Sequence, residues 1–168
     1  AQWNASDAPD GDFLSAFLIP RLQELMDRMG PEYPKILLIL GNDDVRTEEE
    51  AVIQVQARDL WHYLHGRDLQ VGGFRVFGYS FVPPTPFLLK DWEKYDVSRY
   101  VAPGCISPEE GWRTVEVSPQ EAKYGTIHED LEELVGASDT SRSIFLFHTP
   151  PHETKLDRAA LDGKMVDH

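Results

Sequence analysis

The chain has 168 residues, 41% of them hydrophobic and 27% charged, which fits one globular domain with a substantial core and excludes a disordered chain. The formal net charge of −13 argues against non-specific nucleic-acid binding, because that needs clustered Lys and Arg. No apolar run is long enough to cross a bilayer, no signal-peptide pattern is visible, and Cys105 is the only cysteine. We expect a single domain over residues 1–168, located in the cytoplasm and without membrane contact.

The first predicted element is a helix near the N-terminus. Asp12 can cap it, and apolar residues then recur at helical spacing from residue 13 to residue 29. Pro20 should kink or split this helix, and Gly30-Pro31 should end it.

A buried strand and a second helix follow. Residues 35–40 are almost wholly apolar and too few for a helix, which is typical of a strand covered on both faces. Thr47 and Glu50 form a capping box that predicts a helix to about residue 60. Helix, buried strand, polar turn and helix is an order typical of an α/β sheet.

The middle of the chain predicts a β-hairpin and then an irregular insertion. Apolar residues flank Gly72-Gly73, which favours two strands joined by a tight turn. Residues 83–119 mix aromatic, charged and turn-forming residues, and we expect an ordered insertion whose aromatic side chains pack on something. A helix over residues 120–134 and an apolar strand over residues 144–147 complete the prediction.

Polar side chains follow both predicted apolar strands. Asn42, Asp43 and Asp44 come after the first strand, and His148 comes directly after the last. If the two strands run the same way in one parallel sheet, Asn42 and His148 share its carboxyl edge, where ligands bind. An amide oxygen, carboxylates and an imidazole are suitable ligands for Mn²⁺, Fe or Zn²⁺.

Each of these residues also has a structural interpretation. The Asn42-Asp43-Asp44 cluster can be a turn in which Asp44, or Thr47 after it, caps the next helix. His148 can be a hydrogen-bonded histidine at a strand end. Arg46 can be a surface charge at a helix start, and His152 a surface-loop residue.

Three blocks of the sequence resemble one family. Gly41-Asn42-Asp43-Asp44 resembles the Gly-Asn-His-Asp/Glu block of calcineurin-like metallophosphoesterases, and residues 147–151 resemble the later strand-end His block. The hairpin over residues 73–79 is similar to the strand pair between those blocks. The blocks occur in the family's order, and the resemblance spans about residues 35–152.

The resemblance implies a metallophosphoesterase-like four-layer α/β/β/α sandwich and a dinuclear, metal-dependent hydrolase of phosphate esters. Asn42 and His148 then match metal ligands. Asp43 occupies the position of the His that protonates the leaving group or binds phosphate, and Asp44 matches the acidic residue that orients that His. Arg46 and His152 are candidates for contact with a phosphorylated small molecule or nucleotide.

The family's other motifs are absent from the sequence. The chain contains no Asp-x-His, no Gly-Asp-x-x-Asp and no Gly-His-x-His. Two ions about 3.5–4 Å apart need a bridging carboxylate and several further ligands. We therefore expect an incomplete sandwich and an incomplete site, inactive alone, with the missing ligands supplied by other chain segments or by self-association.

Two other functions remain open from the sequence. A non-catalytic α/β interaction module that has lost metal binding would explain the shortage of ligands and the replacement of the family's His by Asp43. A phosphatase with an aspartyl nucleophile is disfavoured, because that chemistry expects Asp-x-Asp directly after the strand and Gly41-Asn42 intervenes here.

Overall fold

A computed structural model of the chain describes residues 13–156, 158–161 and 164–167, with side chains described to residue 156. The predicted cap Asp12 lies outside these residues. The described residues combine α-helices and β-strands, so the fold belongs to the general α/β class. They form two compact units: unit 1 contains the described residues up to Leu38 together with Glu48–Tyr63, and unit 2 contains Ile39–Thr47 and the described residues from Leu64 onward.

Unit 1 begins with the predicted helix. A π-helical segment, Leu14–Leu18, precedes helix α1, Ile19–Met29, and Pro20 lies in the first turn of α1. Proline has no N–H to donate back along the helix, so it is accommodated where a regular α-helix begins. Helical structure is continuous from residue 13 to residue 29, so the helix is not split at Pro20, although its type changes from π to α one residue before that proline. Gly30, with φ of 53°, ends α1, and a 3₁₀ turn over Gly30–Glu32 follows.

The rest of unit 1 is a short parallel strand pair and a helix. Strand β1, Leu37–Leu38, pairs with β2, His62–Tyr63. Helix α2 covers only Glu49–Val55, followed by a 3₁₀ turn over Gln56–Arg58. The indole N–H of Trp61 donates to the Val52 carbonyl at 2.9 Å, and both side chains are buried.

Two details of the prediction for this region are wrong. The strand over residues 35–40 pairs only at Leu37–Leu38, and both residues are half-buried rather than covered on both faces. The capping box does not form, because a 3₁₀ turn over Arg46–Glu48 leads into α2 and the Thr47 N–H donates to the Thr114 hydroxyl at 3.2 Å.

Unit 2 is built on a three-stranded sheet in the order β3-β4-β5. Strands β3, Arg67–Val71, and β4, Phe74–Tyr79, form the predicted hairpin around Gly72-Gly73. Both glycines have positive φ, 56° and 83°, which is the conformation that a two-residue hairpin turn requires. Strand β5, Ser143–Phe147, is also as predicted and runs parallel to β4.

The segment between β4 and the next helix consists of turns and isolated bridges, such as Val82 with Glu93 and Leu89 with Trp112. Trp92 and Tyr95 are buried, as the prediction for the insertion required. Tyr100 and Trp112, which were expected to pack in the same way, are exposed.

The helix predicted over residues 120–134 is two helices. Helix α3 covers Pro119–Tyr124 and α4 covers Ile127–Val135. Each has its own cap, because the hydroxyls of Ser118 and Thr126 accept backbone N–H bonds at 3.1 and 3.2 Å. An antiparallel pair not predicted from the sequence follows, β6 at Arg158–Leu161 and β7 at Lys164–Asp167. No helix within the described ranges has the length and hydropathy to span a membrane.

Candidate functional site

The first part of the site is the turn after β1. The Gly41 N–H donates to the Asp44 carboxylate at 2.7 Å, and the Asp44 N–H returns a bond to the Gly41 carbonyl at 3.1 Å. This reciprocal pair holds Asn42 and Asp43 at the tip of the turn, where the Asp43 side chain is exposed. Asp44 therefore stabilises the turn itself and does not cap the next helix.

The second part is the end of β5. The register of β4 and β5 places Tyr79 opposite Phe147, and the His148 N–H continues the ladder by donating to the Tyr79 carbonyl at 3.3 Å. Backbone pairing thus fixes the position of the His148 main chain, although the His148 side chain is exposed.

The structure brings these two parts together. The Nε2 atom of His148 lies 2.8 Å from the Oδ1 atom of Asn42, across 106 positions of the chain. The sequence predicted this meeting, but for a different topological reason. Strands β1 and β5 belong to separate sheets, so the pair does not lie on the edge of one parallel sheet.

Gly41 makes the close approach of His148 sterically feasible. A Cβ atom at position 41 would lie 2.8 Å from Cε1 and 2.9 Å from Nε2 of the His148 ring. Any residue larger than glycine would therefore displace this imidazole or the turn. The glycine of the Gly-Asn block is thus a packing requirement of the Asn42–His148 pair.

The pair fits one side of a divalent metal ion. Two ligands at about 2.0–2.1 Å from one ion lie about 2.9 Å apart at a right angle and about 3.3 Å apart at a tetrahedral angle, so the observed 2.8 Å suits octahedral geometry and is short for tetrahedral Zn²⁺. Binding would require Nε2 to be unprotonated, so a metal ion would replace the hydrogen bond to Asn42. Within the described residues, no cluster of three or more His, Cys, Asp or Glu side chains could hold a metal ion. Asn42 and His148 alone are too few ligands to hold such an ion.

The two candidate substrate-contacting residues differ in their surroundings. The Arg46 N–H donates to the Asp91 carboxylate at 2.7 Å, and its guanidinium lies 5.3 Å from the ring centroid of Phe81 and 5.1 Å from that of Trp92. Arg46 is thus anchored within unit 2 and is not simply a surface charge. His152 lies in an exposed loop after β5, with its Nε2 3.8 Å from the Glu153 carboxylate.

Arg46 also lines a cavity of about 560 Å³ in unit 2. The wall is a mixture of cationic, acidic and aromatic side chains, among them Arg46, Phe81, Lys94, Arg113, Glu116 and Asp130. No pattern in the sequence points to this cavity, because most of its wall comes from the irregular segment and from α3.

Most acidic groups of the cavity wall are already bonded. The Asp91 carboxylate accepts from the N–H groups of Arg46 and Thr114, both at 2.7 Å, and from the Thr114 hydroxyl at 2.5 Å. Lys94 forms ion pairs with Glu121 and with Asp130, the latter at 2.8 Å. The hydrogen bonds and ion pairs of these carboxylates therefore stabilise the cavity wall.

The Glu93 carboxylate also lines the cavity and is bonded to Lys90 and Thr85. It pairs at 2.5 Å with Lys90, and both side chains are fully buried. The backbone N–H and the hydroxyl of Thr85 add bonds at 2.9 and 2.5 Å. Every oxygen of this carboxylate thus has a donor.

Arg113 differs from the other charged residues discussed for the cavity wall in its lack of bonded partners among the described residues. It is half-buried, and it makes no hydrogen bond or ion pair with any residue that the structure describes. Burial lowers the pKa of its guanidinium, the nearby carboxylates of Asp91 and Glu93 oppose that shift, and the charge of Arg46 adds to it.

Tyr79 connects the strand end to the cavity wall. Its carbonyl accepts from the His148 N–H, while its buried hydroxyl donates to the Asp130 carboxylate at 2.5 Å. Burial, reinforced by the bond to Asp130, raises the pKa of Tyr79 far above its usual value. The phenol therefore stays protonated and acts as a permanent hydrogen-bond donor.

Comparisons of the chain with protein-family models, curated proteins and solved structures found no significant match. The family resemblance therefore depends on the three sequence blocks alone.

Proposed function

We propose that the chain is part of a metal-dependent hydrolase of phosphate esters, a dinuclear metallophosphoesterase in which other segments supply the remaining ligands. The observation that carries the proposal is the 2.8 Å approach of His148 Nε2 to Asn42 Oδ1. An amide and an imidazole that arrive from distant parts of the chain, spaced as neighbouring ligands of one ion, are the arrangement that this chemistry uses. The proposed fold of the whole protein is the four-layer α/β/β/α sandwich.

The proposed roles follow from where each residue lies. Asn42 and His148 hold one of two divalent ions, Mn, Fe or Zn. Bound ions supply Lewis-acid stabilisation of the charge that develops on the phosphoryl oxygens. Asp44 keeps the turn closed through its bond to Gly41. Asp43, exposed at the tip of the turn, can protonate a leaving group only when its own carboxyl is protonated.

The proposed substrate is a phosphorylated small molecule or nucleotide. Arg46 follows the turn by two residues and is held by its backbone bond to Asp91, so its guanidinium is a suitable contact for a phosphate group. His152 is a second, more peripheral candidate because it lies in the exposed loop beyond His148.

Metal binding and hydrolysis test the proposal together. Mn²⁺ is titrated into the longest protein that carries this segment and followed by the loss of its EPR signal, and hydrolysis of p-nitrophenyl phosphate is measured with the same protein. We expect Mn²⁺ affinity to fall by at least about 10–100-fold in His148→Ala and in Asn42→Ala. Arg21→Gln, an exposed change in α1, is the control and should have no effect. Absence of hydrolysis with Mn²⁺ supplied would count against the proposal.

One observation favours the alternative of a non-catalytic interaction module. Asn42 and His148 are within hydrogen-bond distance of each other, and the Asp44 carboxylate accepts a hydrogen bond from Gly41. These hydrogen bonds hold the turn to the end of β5 without a metal ion. Metal analysis separates the two functions. Stoichiometric Mn, Fe or Zn in the purified protein would exclude the module, and metal-free protein that does not take up Mn²⁺ would favour it.

A further inference from the structure

Arg113 is desolvated without compensation from a hydrogen bond. Its side chain is half-buried in the cavity wall and has neither a hydrogen bond nor an ion pair among the described residues. A guanidinium has five donors in a planar fork, and burying them unpaired is unfavourable. Among the described residues, the longer-range attraction of the Asp91 and Glu93 carboxylates offsets part of this cost.

A second guanidinium lines the same cavity. Arg46 is fixed there by its backbone bond to Asp91 and by its packing against the rings of Phe81 and Trp92. The charges of Arg46 and Arg113 are close enough that Arg46 opposes the charged form of Arg113. An anion that contacts both would remove this repulsion and satisfy the donors of Arg113.

The acidic residues of the wall do not preclude an anion. Asp91 is satisfied by three donors, Glu93 by Lys90 and Thr85, and the ion pairs of Lys94 occupy Glu121 and Asp130. Glu116, which is exposed, also lines the cavity. This acidic surplus disfavours multiply charged ligands, so a singly charged group fits better than a doubly charged one.

We propose that this cavity binds the oxyanion group of a small organic acid, a carboxylate or a phosphate ester, with Arg113 and Arg46 as the charged contacts and Phe81 beside the organic part. The volume of about 560 Å³ suits a ligand of this size. The proposal needs no metal ion at Asn42 and His148, so it stands or fails separately from the phosphoesterase proposal.

Binding of two simple probes to the metal-free chain tests the site. Isothermal titration with benzoate and with phenyl phosphate is compared with benzamide, which has a similar shape but no charge. We expect benzoate to bind most tightly, phenyl phosphate to bind more weakly because it carries close to two charges at pH 7, and benzamide not to bind. Tighter binding of benzoate would assign the site to carboxylates, and tighter binding of phenyl phosphate would assign it to phosphate esters.

Substitution and chemical protection locate the site. Arg113→Gln should weaken binding of the better anion about tenfold or more, while Arg21→Gln, on an exposed face of α1, should leave it unchanged. If Arg113→Gln does not fold, the wild-type protein can be used instead. Benzoate should then protect Arg113 from modification by phenylglyoxal, which mass spectrometry detects. Binding of neither anion, equal binding of benzamide, or unchanged affinity and labelling at Arg113 would overturn the proposal.

Discussion

The imidazole of His148 lies over the backbone of Gly41, so close that a Cβ atom at position 41 would be 2.8 Å from its Cε1 atom. The same ring is 2.8 Å from the amide oxygen of Asn42. Because Gly41 has no side chain, the His148 ring can reach the amide oxygen of Asn42, the next residue. This dependence can be tested without altering either member of the pair.

Gly41→Ala should separate His148 from Asn42 with little loss of stability. The ring is exposed and can rotate away from the new methyl group, so we expect the free energy of unfolding to fall by only about 1 kcal/mol. The ¹⁵N and ¹H resonances of the His148 ring should shift to those seen in Asn42→Ala, and Mn²⁺ affinity should fall as in that variant. Unchanged ring resonances would show that the turn moves instead.

Tyr79→Phe should destabilise unit 2 through the loss of one buried bond. The phenol hydroxyl donates to the charged Asp130 at 2.5 Å, and such bonds contribute about 1.5–3 kcal/mol. Urea unfolding of the two proteins measures the difference. Tyr124→Phe is a suitable control, because that tyrosine is exposed, and its effect should be within about 0.5 kcal/mol. Equal effects of the two substitutions would contradict the role of the Tyr79 bond.

The same tyrosine should make the protein sensitive to alkaline pH. Its pKa is raised in the folded state, so the unfolded chain releases the phenol proton first, near pH 10. The stabilisation is fully present below that pH and is lost as pH rises, by up to about 1.4 kcal/mol per pH unit. Tyr79→Phe should unfold with a shallower dependence on pH above 10. A residual slope is expected from Tyr33 and Tyr95, whose pKa values burial also raises.

The carboxylate of Asp68 should give unit 2 an acid-sensitive contact. Arg75, on the neighbouring strand, donates two bonds to it at 2.7 and 2.9 Å, and the hydrogen bond to Arg75 lowers the pKa of Asp68. A lowered pKa contributes stability above the unfolded value of about 3.9 and loses it as pH falls below that value. Because both side chains are about one-third exposed, Asp68→Asn should cost no more than about 1 kcal/mol at pH 7.

The control for Asp68→Asn is to measure the free energy of unfolding of both proteins at acid pH. Once acid has protonated the wild-type carboxylate, the two proteins should have nearly the same free energy of unfolding. A difference that stays constant from pH 7 to pH 2 would contradict an electrostatic origin.

Local patterns in the sequence were sufficient for several elements of the fold. Alternating apolar residues around Gly72-Gly73 predicted the β3–β4 hairpin, because both glycines adopt the positive φ that the turn needs. One further local signal is the capping-box pattern of Thr126 with Glu129, which starts α4.

Non-local arrangements could not be predicted in the same way. Asn42 and His148 were expected to meet because both follow apolar strands, yet those strands belong to different sheets and Gly41 provides the necessary space. The anchoring of Arg46 depends on a carboxylate 45 positions away, at Asp91. The cavity and the lack of a hydrogen-bond partner for Arg113 among the described residues could not be predicted, because they depend on contacts between residues that are far apart in the sequence.

The fully buried pair of Lys90 and Glu93 should be the most sensitive electrostatic contact in unit 2. Their charged atoms are 2.5 Å apart, and neither side chain contacts solvent. Lys90→Met would leave the Glu93 carboxylate buried without its counter-charge, although the two bonds from Thr85 would remain. We expect the free energy of unfolding to fall by about 3–5 kcal/mol.

A second substitution separates the ion pair from simple packing. Lys90→Met combined with Glu93→Gln removes both charges while the new amide can still accept from Thr85, so much of the lost stability should return. Arg21 and Glu24 form a matched control, because they have the same i, i+3 spacing but are 66% and 67% exposed. Neutralising that pair should change stability by less than about 0.5 kcal/mol. If the double variant is as unstable as Lys90→Met alone, the shape of Lys90 under the cavity wall, and not its charge, is what the fold requires.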